Sequence, residues 1–540
     1  MPPRSTGGAM QLGLAFPDPA GLAGARAAGI KVVKVLADWS VIEAQRGALA
    51  WASVDGAVAA VGREGLTPVV VLAYTPRWAS LGAGSDLAHQ AIYSRQPPRD
   101  LRDWERFVAA AGARYRGRVV DWQVWTHLGL PHFRGTGREY LALLQTARAR
   151  LRESDPAARV ALAAPVGMDV GFVVRMAQEA PGVFDAVALA PEGLAPEALL
   201  RPLATLAQRG RTAGKAIWLD WRPGGADHGG RPDQAAASGL WARMLAAAQA
   251  AGLDRLFVAD PARFDAELRP MATTLAGRPL AGYLVRDPDA YALMFGAGPD
   301  AVLVAWATAQ GRALDLPASP DYRLSAADGG SVPVEARDGR ILVRLTEVPV
   351  LIFGLPAALV DEARATAAAR GPLLPVVGPE RDYTRAPEVW TRLGQTGEER
   401  GLYNQRYRSR PNGAVEPIEV NGGEAVRTSV ARQVVYVYFD IDDTFLYFGE
   451  GRIPLEITVE VWGARGARQV GFNLLYDATG GYRFTPWQWV EAREGWVMHT
   501  VRLTDASMAN TWGFDFAINT AGNRAEDLIV RSVTVRKGVP

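Results

Sequence analysis

The 540-residue chain is 49% hydrophobic and 21% charged, the balance of a soluble globular protein with more than one core. A net charge of +2 gives no basis for a nucleic-acid or anionic-lipid partner, and 55 Arg against four Lys, amid abundant Ala and Gly, reads as codon bias. Zero Cys excludes disulfides, thiolate zinc sites and thiol catalysis, and no apolar run reaches the roughly 18–20 residues of a transmembrane span. The opening MPPRSTGGAMQLGLAF has no apolar segment of signal-peptide type. The expectation is either a cytoplasmic protein or a secreted or envelope protein whose signal has been removed.

Residues 1–280 alternate short β-rich runs with longer Ala-rich amphipathic segments. The runs are MQLGLAF, IKVVKVL, TPVVVLAY, VVDWQVW, ARVALAA, FDAVALA, KAIWLDW and LDRLFVA. Strands that are apolar without alternation are buried on both faces, which indicates a parallel sheet. Eight strand–helix units predict a (β/α)8 TIM barrel. An open doubly wound sheet is the weaker alternative, because no Gly-rich phosphate turn follows the first strand. Residues 281–355 are short strands broken by Gly, Pro and Asp-Gly, and they predict a small antiparallel β domain. Residues 356–400, rich in Ala, Pro and Arg, read as a linker with one short helix. Residues 401–540 return to strands spaced as in a β-sandwich. The predicted class is therefore multidomain, α/β plus all-β.

Several stretches resemble clan A glycoside hydrolases of the family 39-like group. DWSVIEAQRGALAWASVD keeps Trp39, Ile42, Glu43, Gly47, Trp51 and Asp55 at that group's spacing. LAYTPRWAS resembles its third strand and loop with Tyr74, Pro76 and Trp78, and DWQVW with GTGREYLALL resembles its fourth unit. The resemblance covers about 350 residues and includes the small β domain. It implies a barrel whose two catalytic Glu residues end strands four and seven. Retaining hydrolysis needs such carboxyl groups roughly 5–5.5 Å apart.

At those positions the chain departs from the pattern. The Asn-Glu pair after strand four is replaced by Thr126 and His127, and a gap-free match puts Trp221 at the nucleophile, with Asp220 before it. The family's strand-six His falls on Ala190, and its strand-two Arg on Lys34. Trp221 has no oxygen to attack an anomeric carbon. Neighbouring strand residues point to opposite faces, so on this match Asp220 aims away from the sugar. No standard catalytic residue is expected; His127 with Asp220 is the non-standard candidate, since a His shuttles protons near neutral pH.

The expected glycan-binding residues are Trp39, Glu43, Tyr74, Trp78, Trp125, His127 and Trp221 at the barrel mouth, where rings stack on sugar C–H faces and polar tips bond hydroxyls. Plugging the barrel top accounts for Trp39 and Trp125 equally well. The loop position of Trp78 favours the cleft, and satisfying local backbone or an Arg is the stronger reading of Glu43. In FTPWQWVEAREGW, Trp487 and Trp489 share one strand face and would form a stacking platform of the kind seen in carbohydrate-binding modules, which the C-terminal segment resembles in general plan. Asp440, Asp442 and Asp443 offer hard oxygen ligands for a structural Ca2+, although turn chemistry explains them equally well. No other cofactor is expected. His89, His127, His132 and His228, with Asp220 and Asp227, lack HxH or HExxH spacing, so loop histidines outweigh a metal site.

The favoured expectation is a catalytically degenerate glycoside hydrolase-like protein that binds a polysaccharide or oligosaccharide, or scaffolds a glycan-handling assembly with a protein partner. An active glycosidase or lyase with non-standard residues is the first alternative. A structural envelope or assembly protein is the second.

Overall fold

The computed structural model describes the chain outside residues 1–9, 18, 23–24, 28, 82–88, 129–131, 167–169, 192–195, 201–202, 204–205, 207–211, 213, 222–233, 259–268, 288, 372, 374–382, 384, 405–410, 443–444, 447–452, 464–469, 479–480, 509–513 and 539–540. Eight parallel strands close into a barrel in sequence order. They are β1 (Gln11–Ala15), β2 (Ile30–Asp38), β3 (Thr67–Ala73), β4 (Asp121–Val124), β5 (Arg159–Val166), β6 (Ala186–Ala190), β7 (Ala216–Trp221) and β8 (Arg255–Val258). The predicted TIM barrel is what the chain forms.

The lumen is filled by a cluster drawn from seven strands: Ala15, Val32, Val69, Ala161, Ala186, Ala188, Trp218 and Phe257. Small residues on β1, β5 and β6 make room for the two large rings of β7 and β8. Gly13 shows how tight the fit is, because a Cβ there would lie 2.6 Å from the Phe257 ring and 2.7 Å from Val32. At the N-terminal end, Arg255 lies over Trp218 (4.7 Å) and donates to Asp121 (2.7 Å), which also accepts from Arg159 (2.8 Å).

Outside the sheet, the helix Leu101–Tyr115 starts at Asp100, whose side chain accepts from the Arg102 N–H. It buries Trp104, Phe107, Val108, Ala111 and Tyr115 at helical spacing. Trp39 and Trp51 stack on Phe107 at 5.3 and 5.6 Å, while Trp104 meets Trp39 and Trp125 at 5.7 and 6.4 Å. A continuous aromatic layer thus lies between sheet and helix.

After the barrel, a five-stranded antiparallel sheet runs in the order Arg323–Ala326, Val350–Phe353, Val302–Ala307, Ala290–Phe295, Leu280–Asp287. It shares a core with residues of a three-stranded sheet, Leu314, Leu316 and Val343 among them.

Among the described residues, the expected linker at 356–400 holds two packed elements. The helix Ala357–Arg370 adds Leu359, Val360 and Ala363 to that core, and it lies so close that a Cβ on Gly282 would sit 2.4 Å from the Ala363 carbonyl oxygen. The strand Glu388–Arg392 pairs with Ile529–Lys537. Ala gives a helix little amphipathic contrast, which is why composition alone reads as linker. In the C-terminal region, a seven-stranded and a six-stranded sheet share one core, with Val389, Ile457, Val459, Val533 and Val535 meeting Val437, Phe439, Phe472, Leu474, Phe516 and Ile518. Among the described residues, no helix is long and apolar enough to cross a membrane.

Candidate functional site

Barrel chemistry sits at the C-terminal ends of the strands. The last two residues of the eight strands include two carboxylates, Asp38 and Asp220. Asp38 ends β2 and caps the short helix Trp39–Ile42, its Oδ1 accepting from the Ser40 N–H (2.9 Å) and hydroxyl (2.6 Å). Burial raises its pKa, against the opposing pull of those bonds and of Arg95.

Two residues just beyond β3 and β4, Tyr74 and Trp125, adopt φ of 72° and 69°. A bulky side chain in this left-handed region costs on the order of 1–3 kcal/mol, so the surroundings must fix it. The buried amide of Gln123 does so after β4, donating to the carbonyls of Trp125 (2.9 Å) and Thr126 (3.0 Å). Tyr74 meets the Trp125 ring edge-on at 5.8 Å, and its hydroxyl is 3.0 Å from Thr126 Oγ1. Thr126, which follows Trp125, is buried with its hydroxyl against that of Tyr74.

On β7 the alternation runs opposite to the expected phase. Trp218 belongs to the lumen cluster, so Asp220, two residues on, faces the lumen as well. There it forms an ion pair with Lys34 of β2, a fully buried lysine whose ammonium also lies 4.3 Å from the Phe257 ring centre. Desolvation lowers the Lys34 pKa and the Asp220 charge opposes that shift. Trp221 points outward and packs edge-on against Trp241 of the helix Gln234–Ala250, ring centres 4.2 Å apart. The expectation that an indole occupies the attacking position is thus overturned, as is the expectation that Asp220 aims away.

The other predicted mouth residues divide. Trp39 and Trp125 are fully buried in the aromatic layer, so neither offers a ring face to a sugar. Glu43 is likewise buried, accepting from Trp39 Nε1 (2.7 Å) and the Gly47 N–H (2.7 Å) and pairing with Arg106 at 3.3 Å. It satisfies local groups, as its stronger reading held. Trp78 is half-buried, edge-on to Trp39 at 5.8 Å, donating to the Glu43 carbonyl (2.7 Å), with Arg46 over its ring. His127 is buried, its ring 5.3 Å from His132. Tyr74, just beyond β3, is half-buried, with Arg95 over its ring. Sequence reasoning missed Asp38, Arg95 and Gln123; the pattern D-W-S, a helix cap, was the available signal for the first.

Asp227, His228 and Asp443 lie outside the described residues. Asp440 belongs to the strand Tyr436–Ile441, and Asp442 accepts from the Tyr403 hydroxyl at 2.8 Å. Among the described residues, no group of three or more His, Asp or Glu is placed to hold a metal ion. Trp487 and Trp489 do come together, ring centres 5.9 Å apart at 64°, with Trp489 56% exposed. Trp487 lies against Gly522 and Gly471, where a Cβ would collide with its ring.

No family model and no curated protein matches this sequence. By structure, the chain is similar to a family 39 glycoside hydrolase from the gut symbiont Bacteroides cellulosilyticus WH2, at TM-score 0.50 and 15% identity over 64% of this chain and 81% of that one. The likeness is one of fold, a closed eight-stranded parallel barrel. A family 39 β-xylosidase from Caulobacter crescentus matches at TM-score 0.46 and 14% identity, over 65% of this chain and 97% of that one. A family 30 endoxylanase from Clostridium papyrosolvens C71 matches at 0.44 and 12%, over 65% and 98%.

Proposed function

We propose that this chain binds a polysaccharide or oligosaccharide at the barrel mouth and does not cleave it by the two-carboxylate route. The observation that carries the reading is the state of the strand-end carboxylates. Asp220 is tied to Lys34, Asp38 is spent on a helix cap, and the β4 turn offers Thr126 instead of an acid. A retaining hydrolase needs one ionised nucleophile and one proton donor facing each other. The exposed Trp489 beside Trp487 supports a second glycan contact in the C-terminal region.

The lumen-facing Asp220 favours one competing reading, an enzyme with non-standard residues. Hydrolysis of a panel of aryl glycosides and polysaccharides by the wild-type chain, alongside calorimetric titration with the same polymers, separates the two. Binding without turnover is expected. Robust turnover that Asp220→Asn abolishes would establish the enzyme and end the binding-only reading.

A further inference from the structure

Arg95 is held in an unusual state. After the helix Gln90–Tyr93, the chain is clamped back onto the end of β3: Thr75 N–H donates to the Ser94 carbonyl (2.9 Å), and Thr75 Oγ1 donates to that of Gln96 (2.6 Å). This clamp sets the Arg95 guanidinium on the face of Tyr74, 3.4 Å from the ring centre. Stacking uses the flat face of a guanidinium and leaves its edge N–H groups to donate in the plane. Yet Nη1 of Arg95 is buried with no hydrogen-bond partner among the described residues.

Elsewhere this chain pairs its arginines closely, as in Arg148–Asp185 at 2.7 Å and Arg255–Asp121 at 2.7 Å. The carboxylate that Arg95 does feel, Asp38, spends Oδ1 on Ser40, and the two form no ion pair. A buried donor on a cation is costly unless an acceptor, best an anionic one, completes it.

We infer that Arg95, stacked on Tyr74, is a subsite for an acidic substituent of the bound glycan, a sugar carboxylate or a sulfate ester. The assignment rests on the glycan-binding reading above. The hydroxyls of Tyr74 and Thr126, 3.0 Å apart, stand beside it to donate to and accept from the same sugar.

The test titrates the full chain with matched probes: neutral galactan against polygalacturonate oligomers, and desulfated against sulfated carrageenan oligomers. At least one acidic member binds about tenfold or more tighter than its neutral twin, and the member that does so separates carboxylate from sulfate. Arg95→Gln removes that advantage, and Arg95→Lys, which keeps the charge without the fork, retains part of it. Ligand-free Arg95→Gln unfolds at or above the wild-type midpoint, because it removes a half-buried guanidinium whose Nη1 has no acceptor; a purely structural arginine would lower it. Equal binding of every acidic and neutral pair, or an advantage that survives Arg95→Gln, overturns the acidic subsite and leaves the glycan reading standing. Binding of none of the probes at the mouth overturns both.

Discussion

Two tryptophan pairs in this chain have similar edge-on geometry and opposite fates. Trp221 and Trp241 meet at 4.2 Å and 89°, both at most 2% exposed. Trp487 and Trp489 meet at 5.9 Å and 64°, with Trp489 56% exposed. The first pair joins the outer face of β7 to the helix Gln234–Ala250. Of the second, Trp489 lies on Gln488–Trp489, a two-residue strand that pairs at the end of Gly471–Ala478, and Trp487 just precedes it. Ring contact is common to both; what differs is whether another element covers the face. A tryptophan at a strand end is therefore buried or exposed according to its cover, and residue type alone does not choose.

The largest effect should separate the two pairs directly. Trp221→Ala is expected to cost about 3–5 kcal/mol, as truncation of a buried aromatic leaves a cavity. Trp489→Ala should stay within about 0.5 kcal/mol of wild type. Urea denaturation of both variants checks this, and comparable losses would break the contrast.

The next test uses the neighbour of Trp221. Lys34→Met leaves the largely buried Asp220 in the lumen without its partner, at a cost of roughly 3–5 kcal/mol. Adding Asp220→Leu should recover most of it, since a well-packed apolar pair of similar size is often no worse than the ions. If the double variant is as unstable as the single one, Asp220 does not face Lys34 in solution.

A smaller effect is expected at the support of the exposed pair. A Cβ on Gly522 would come within 2.7 Å of the Trp487 ring, so Gly522→Ala should cost about 1–3 kcal/mol through overpacking. The displaced indole should also shift the tryptophan fluorescence. An unchanged spectrum and midpoint would mean that Trp487 is not seated on the glycine.

Much of the fold was legible in the sequence. The barrel followed from eight unalternated apolar runs; the capping box of Thr136 and Glu139 that starts the helix Gly137–Ser154, at 2.7 and 3.1 Å, was not read from them. The helix at Ala357–Arg370 was only half legible, because its alanines mark no strong face. The site was less legible. Tyr74 and Thr126 were named and do meet, but Lys34 was taken for a missing arginine when it is the partner of Asp220. Arg95 gave no signal, since its position depends on a loop folding back onto Thr75.

The sequence by itself determined that a parallel barrel forms, that two all-β regions follow, and that Asp220 and Trp221 face opposite ways. Tertiary structure alone decided which of the two looks inward. Alternation fixes relative sides along a strand; the absolute side depends on what neighbouring strands place in the shared interior. Here Lys34 and Phe257 leave room for a carboxylate, and the helix across the sheet supplies the apolar seat for the indole.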